Sequence, residues 1–99
     1  MKPMNDEQII ELISRRRRQI LVHSYLYYEK DANLISDSTW SEWAIELVDI
    51  QNRYPSLAAQ APYYEAFKNF DGSTGFDLPF RLPNIISTAE HLLAYCNKI

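Results

Sequence analysis

Between Met4 and Ala61 the chain contains a single helix breaker, Pro55, and its only two glycines, Gly72 and Gly75, sit together further on. Glycine and proline punctuate backbone structure most strongly. A run this long with one of them must therefore form long regular elements, and the apolar spacing says which kind. Ile9, Ile13, Ile20, Ser24 and Tyr27 recur near helical spacing, and Leu12, Leu21 and Tyr28 widen the stripe. The chain reads as all-α.

The first helix starts at Asn5 or Asp6, either of which makes a good N-cap, with Glu7 adding acid to the first turn. It is expected to run to about Glu29. Lys30 to Ile35 read as a short turn, since Asp31 and Asn33 side chains bond nearby backbone. Ser36 is the next natural N-cap, with Asp37 in the first turn of a second helix carrying Trp40, Trp43, Ala44, Leu47, Ile50 and Tyr54. Pro55 ends that helix, because the residue before a proline leaves the α region. Two helices joined this closely form an antiparallel hairpin over residues 5–55.

Residues 56–99 are less regular, and the whole chain, 1–99, reads as one domain. Pro62 is expected to open a short helix through Phe70. Residues 71–83 read as an irregular loop, beginning with the turn chemistry of Asp71-Gly72-Ser73-Thr74-Gly75 and pinned to the core by Phe70, Phe76 and Phe80. A last helix from Pro83 or Asn84 places Ile85, Ile86, Ala89, Leu92, Leu93 and Cys96 on one stripe, which is expected to close the core against the hairpin.

Charge and cysteine usage narrow the function classes. A net charge of −3 argues against a general nucleic-acid binder, whose footprint is basic. A single cysteine, Cys96, fits a reducing compartment. Met1 to Asp6 show no apolar run after a charged start, which predicts no secretion signal. No stretch reaches the ~18 uncharged apolar residues of a membrane span. The expectation is a cytoplasmic protein.

One stretch carries a resemblance. Tyr25-Leu26-Tyr27-Tyr28 is followed by Asp31, then Ile35-Ser36-Asp37, then Trp40, and finally Leu47 and Arg53-Tyr54-Pro55. Over roughly residues 8–57 this order resembles the small N-terminal helical domain of bacterial NAD-dependent DNA ligases. The second half is similar instead to short stand-alone ligase-related proteins of phages and prophages, through Thr74-Gly75-Phe76 and Pro83-Asn84-Ile85-Ile86. In the ligases the hairpin grips the nicotinamide mononucleotide (NMN) half of NAD. The resemblance implies that Tyr27, Tyr28, Asp37, Trp40 and Ser41 would do so here. Tyr28 is an allowed alternative to the family's His. Trp40 replaces Tyr, which keeps an aromatic face, and Ser41 replaces an Asp, which removes a carboxylate.

Elementary chemistry points the same way in part. Tyr27 near the end of the first helix and Trp40 near the start of the second lie at one end of the hairpin. Aromatic faces attract the cationic nicotinamide ring by ~0.5–2 kcal/mol per contact, and Asp37 could accept hydrogen bonds from a ribose hydroxyl or an amide. The same residues have an ordinary reading: Tyr and Trp at helical spacing pack cores, and an Asp at a helix start serves the cap and dipole.

The remaining candidates carry less. Four consecutive arginines, Arg15 to Arg18, span the helix circumference, so at least one faces the packed side. They read mainly as a solvated surface with Glu11 pairing Arg15, the alternative being a phosphate or acidic-partner contact. Lys68-Asn69-Phe70-Asp71-Gly72 has one residue too many for the Lys-x-Asp-Gly signature of nucleotidyl transferases. Asp71 to Gly75 could cradle an anion but lacks the downstream lysine of a P-loop. His23 reads as a half-buried hairpin residue. His91 and Cys96, five apart, share no helix face, and no metal-ligand spacing is present. Tyr63, Tyr64 and Trp43 could form a self-association patch.

The leading functional expectation is a non-catalytic interaction or accessory module with a protein partner, built on a ligase-like hairpin and of a phage-encoded, host-modulating kind. The alternative is a binding protein for NMN or NAD at the Tyr27, Asp37 and Trp40 end. At 99 residues the chain is too short for a ligase, and no catalytic residue set is expected.

Overall fold

The computed structural model describes residues 3–97, which form helices and loops with no strand among them. Helix α1, Asp6–Lys30, begins with a reciprocal capping box. The Asn5 side chain accepts from the Gln8 amide at 2.8 Å, and the Gln8 side chain accepts from the Asn5 amide at 3.0 Å. Two of the four orphan donors of the helix start are thereby satisfied. The helix stops where Asp31 turns left-handed at φ 50° and the Ala32 amide reaches back to the Leu26 carbonyl at 2.9 Å. Asp is one of the few residue types that tolerates this conformation.

Helix α2, Asp37–Arg53, is capped by Ser36, whose Oγ accepts from the Thr39 amide at 3.1 Å. It runs antiparallel to α1, because Arg16 reaches Glu46, Arg17 reaches Gln51, and Tyr27 faces Trp40 across one cavity. Pro55 does more than end α2. It also opens helix α3, Pro55–Gln60, which the sequence reading omitted. A proline at the first helical position has no amide to leave unsatisfied and already holds a helical φ.

Helix α4, Tyr64–Phe67, is shorter than the expected segment from Pro62 to Phe70. Tyr63 takes a left-handed conformation, φ 68°, which breaks the helix before it can include Pro62. Helix α5, Pro83–Asn97, follows an irregular stretch as expected. It docks chiefly on α1 rather than across both arms of the hairpin. Only Ile85 and Ala89 of its stripe are fully buried, while Ile86, Leu92, Leu93 and Cys96 are half-buried.

Helix α1 is consequently the central element, touching α2, α3 and α5. Its middle is buried almost all round, through Ile20, Leu21, Val22, Ser24, Tyr25 and Leu26, as a helix enclosed on several sides must be. Leu47, Ala44 and Ile50 of α2, Ala58 of α3, Phe67 of α4, and Phe80 complete the core.

Arg17 lies inside this core with no solvent exposure. Its guanidinium donates to Gln51 Oε1 at 2.9 Å and to the carbonyls of Ala58, Ala61 and Pro62 at 3.1, 3.1 and 2.9 Å. It therefore satisfies the Ala61 and Pro62 carbonyls just beyond α3 and gives a second donor to the Ala58 carbonyl, which also accepts from the Ala61 amide at 3.3 Å. Gln51 Nε2 goes on to donate to the Phe67 carbonyl at 3.2 Å. Burial without a carboxylate partner lowers the Arg17 pKa to about 10, an effect that the neighbouring Tyr64 partly opposes, so the group stays charged at neutral pH.

The other arginines sit at the surface or its edge. Arg15 pairs with Glu11 at 3.5 Å, while Arg16 pairs with Glu46 at 2.7 Å and lies over the Trp43 ring. The expectation of a mainly solvated arginine run is thus corrected at Arg17. No helix among the described residues is long and apolar enough to cross a membrane.

Candidate functional site

The short connection between α1 and α2 leaves a cavity of about 240 Å³ at that end of the hairpin. Four pieces of chain line it: His23, Ser24, Tyr27 and Tyr28 from α1, residues 32–36 of the connection, Asp37, Trp40 and Ser41 from α2, and residues 73–75 of the loop. All five residues named from the sequence therefore line one cavity. Its volume falls just below the ~300–1,000 Å³ of drug-sized sites, which suits one flat ring and part of an attached sugar.

The aromatic side chains do not play equal parts. Tyr28 is engaged on several sides, stacked on Phe80 at 5.6 Å and edge-on to Phe76 at 5.4 Å and to Tyr27 at 4.9 Å. Its hydroxyl shares a hydrogen bond of 3.1 Å with Thr74 Oγ1. Tyr28 thus ties the loop to α1. Tyr27 remains 51% exposed, with only the Tyr28 ring against it among its aromatic contacts. Trp40 is half-buried and braced edge-on by Phe70 at 6.5 Å. Tyr27 has the most surface to offer a ligand, while Tyr28, 38% exposed, and Trp40 add part of a face each. Placing Phe76 as a core anchor is corrected: it is 65% exposed, while Phe80 fills the core position.

Ser36 performs the α2 cap, so Asp37 is released from that duty. Asp37 makes no side-chain hydrogen bond or ion pair among the described residues. Among the described residues no lysine or arginine lines the cavity, and Asp37 is the one lining carboxylate. Such a cavity favours a cation and disfavours an anion. Ser41 is exposed and adds a hydroxyl where a second carboxylate would have deepened that preference.

The structure adds residues the sequence reading did not include in the site. His23 and Ser24 lie one helical turn before Tyr27 and Tyr28, and a spacing of four residues puts them on the same faces. That spacing was the available signal. Ser24 Oγ and His23 Nδ1 are buried and without hydrogen-bond partners. Burial lowers the His23 pKa below its ordinary value, which keeps the imidazole neutral at neutral pH.

Gly75 belongs to the site through close approach rather than through an unusual φ. A Cβ there would fall 2.2 Å from Ser24 Oγ and 3.1 Å from Ser24 Cβ. Any larger residue would push the loop off the cavity wall. Asp71 shapes the approach by accepting from the Ser73 amide at 2.9 Å and the Ser73 hydroxyl at 2.6 Å, and these bonds hold its pKa below the ordinary carboxylate value. Gly72 provides the turn with a left-handed φ of 86°.

Of the residues named for self-association, Tyr64 is exposed, Trp43 packs between His23 at 5.7 Å and Arg16 at 5.5 Å, and the Tyr63 hydroxyl accepts from Asn84 at 2.6 Å. Lys68 pairs with Glu65 at 2.6 Å, which raises the Lys68 pKa and leaves its amine poorly suited to nucleophilic attack.

In comparisons with known proteins, no protein-family model, no curated protein and no solved structure matches the chain.

Proposed function

We propose that this protein binds the nicotinamide end of a nucleotide in the cavity at the α1–α2 connection, without catalysing a reaction on it. The observation that carries the reading is the charge pattern of the lining: the aromatic rings of Tyr27, Tyr28 and Trp40 and an unpaired Asp37, with no lysine or arginine among the described residues. A flat cationic ring satisfies each part of that pattern. The ring stacks on Tyr27 or Trp40 and gains cation–π attraction, while Asp37 offsets its charge or holds a ribose hydroxyl. The resemblance of Tyr27, Tyr28, Asp37 and Trp40 to the nicotinamide-gripping hairpin of NAD-dependent ligases supports the same ligand.

Thermal denaturation with NMN or NAD tests the reading, with AMP as the control that lacks the cationic ring. Ligand at ~100 times its dissociation constant adds ~2.7 kcal/mol, which for a chain this short raises the melting temperature by roughly ten degrees or more. No shift at millimolar NMN, or an equal shift with AMP, refutes it. Ser41→Asp restores the carboxylate of the ligase pattern and is expected to tighten NMN binding several-fold in isothermal titration.

A second reading, the protein-interaction module, has one specific observation behind it. The exposed Phe76 stands edge-on to Tyr28, whose ring also meets the exposed Tyr27. On that reading Phe76→Ser abolishes capture of a partner from lysate while leaving NMN binding unchanged.

A further inference from the structure

We propose that Ser24 and His23 read the carboxamide of the bound ring and so select the amide over the corresponding acid. This deepens the reading above and rests on it. Ser24 is 2% exposed, lines the cavity, and holds a hydroxyl with no partner. A buried hydroxyl left unsatisfied forfeits its hydration with nothing in return, and such groups in native structures call for an explanation. A hydroxyl in mid-helix commonly relieves that cost by bonding the carbonyl four residues back, as Ser14 does to Ile10 at 2.8 Å and Thr88 to Asn84 at 2.8 Å. Ser24 does not.

His23 presents a second unpartnered atom, Nδ1, on the preceding residue, and its side chain lines the same cavity. A neutral imidazole carries one donor and one acceptor, and a serine hydroxyl can donate as well as accept. Together they match a primary amide, which has one carbonyl acceptor and an NH2 donor. The Ser24 hydroxyl donates to the amide oxygen, and the amide NH2 donates to His23 Nδ1, whose proton then sits on Nε2. Burial of His23 keeps it in the neutral form this requires.

A carboxylate meets the first condition, since it accepts from the Ser24 hydroxyl, but fails the second. It has no donor for Nδ1, and it brings a negative charge into a cavity that, among the described residues, holds Asp37 and no lysine or arginine. Nicotinic acid mononucleotide differs from NMN only in this group, so the pair isolates the effect and leaves the ring, ribose and phosphate in common.

Isothermal titration of the full chain with both mononucleotides tests the proposal, in the wild type, in Ser24→Ala and in His23→Phe. The wild type is expected to bind NMN at least ~10-fold more tightly than the acid. Ser24→Ala removes a donor that either ligand can use and is expected to lose about 10-fold in NMN affinity, the scale of one buried hydrogen bond. His23→Phe removes the acceptor that only the amide can use and is expected to shrink the preference for NMN. Ser24→Ala is expected to keep or raise its melting temperature in the absence of ligand, because it deletes an unsatisfied group. That combination separates ligand reading from a structural role. Equal wild-type affinities for the two mononucleotides overturn the proposal and leave nicotinamide binding standing. An unchanged NMN affinity in Ser24→Ala, or an unchanged ratio in His23→Phe, does the same. Binding of neither mononucleotide removes both.

Discussion

Arg17 shows how one side chain can organise a small helical protein. Its guanidinium replaces the amides that α3 lacks at its end, and it joins α1 to α2 through Gln51. Removing it strands the Ala61 and Pro62 carbonyls and a glutamine oxygen, and leaves the Ala58 carbonyl with the Ala61 amide alone. Arg17→Ala is predicted to destabilise by about 3–5 kcal/mol, the range found when one partner of a buried charged network is deleted. Urea denaturation measures this, and a loss below about 1 kcal/mol contradicts the structural role. Arg17→Lys should recover little, since an ammonium cannot reproduce the planar fork.

His23 gives the residue scale a pH dependence. Its folded pKa is depressed below 6.5 by burial, so the unfolded chain takes up a proton first as pH falls. The stability His23 contributes is complete above that unfolded value and is lost as pH drops through the folded one. The melting temperature is therefore expected to decline from pH 7 toward pH 5. His23→Phe should flatten that decline, and a slope unchanged by the substitution would assign it elsewhere.

At the scale of elements, the hairpin could be read because its signals are local. The Asn5 and Ser36 caps, the turn at Asp31 and the stop at Pro55 each act on neighbouring backbone. Pro55 also shows where local reading runs short. A proline that must end one helix is equally well placed to start another, and only the docking of Ala58 against the core decides that it does. The position of α4 depends on Tyr63 accepting a left-handed conformation, which no propensity favours for a bulky residue.

The cavity followed the same division. The set Tyr27, Tyr28, Asp37, Trp40 and Ser41 comes from the ligase resemblance, and the helix ends by themselves put Tyr27 and Trp40 at one end of the hairpin. The loop residues 73–75 that close it come from a distant part of the chain and have no such phase. Their contact is legible only as steric need at Gly75. Gly75→Ala is accordingly predicted to lift the loop from Ser24, lowering stability by about 1–3 kcal/mol as overpacking does and weakening NMN binding at the same time. A variant with wild-type stability and binding would show that the loop accommodates a side chain there.

For the whole molecule, the length of α1 sets the dimensions. A helix of 25 residues is about 37 Å long, close to the 38 Å longest extent of the protein. The other helices attach to its flanks with unequal strength. On one flank, α2 and α3 share the Arg17 network and much of the core. On the other, α5 buries only Ile85 and Ala89 fully and is held by surface pairs: Glu90 accepts from Tyr25 at 2.9 Å and meets Lys30 at 2.9 Å, and Arg81 before it pairs with Glu29. Exposed pairs of this kind contribute little, because water screens them and ordering the side chains costs entropy. Few buried contacts mark a segment that opens locally before the global transition. Helix α5 is therefore predicted to exchange its amide hydrogens faster than α1 and α2 at neutral pH. The bonds from Lys30 and Tyr25 hold the Glu90 pKa below 4.5, so their contribution is present above that value and lost as pH falls beneath it. Acid should then loosen α5 further, and Glu90→Gln should reproduce part of that loosening at neutral pH. Uniform exchange across α1, α2 and α5 would mean that the half-buried stripe from Ile86 to Cys96 binds α5 as firmly as the Arg17 network binds the hairpin.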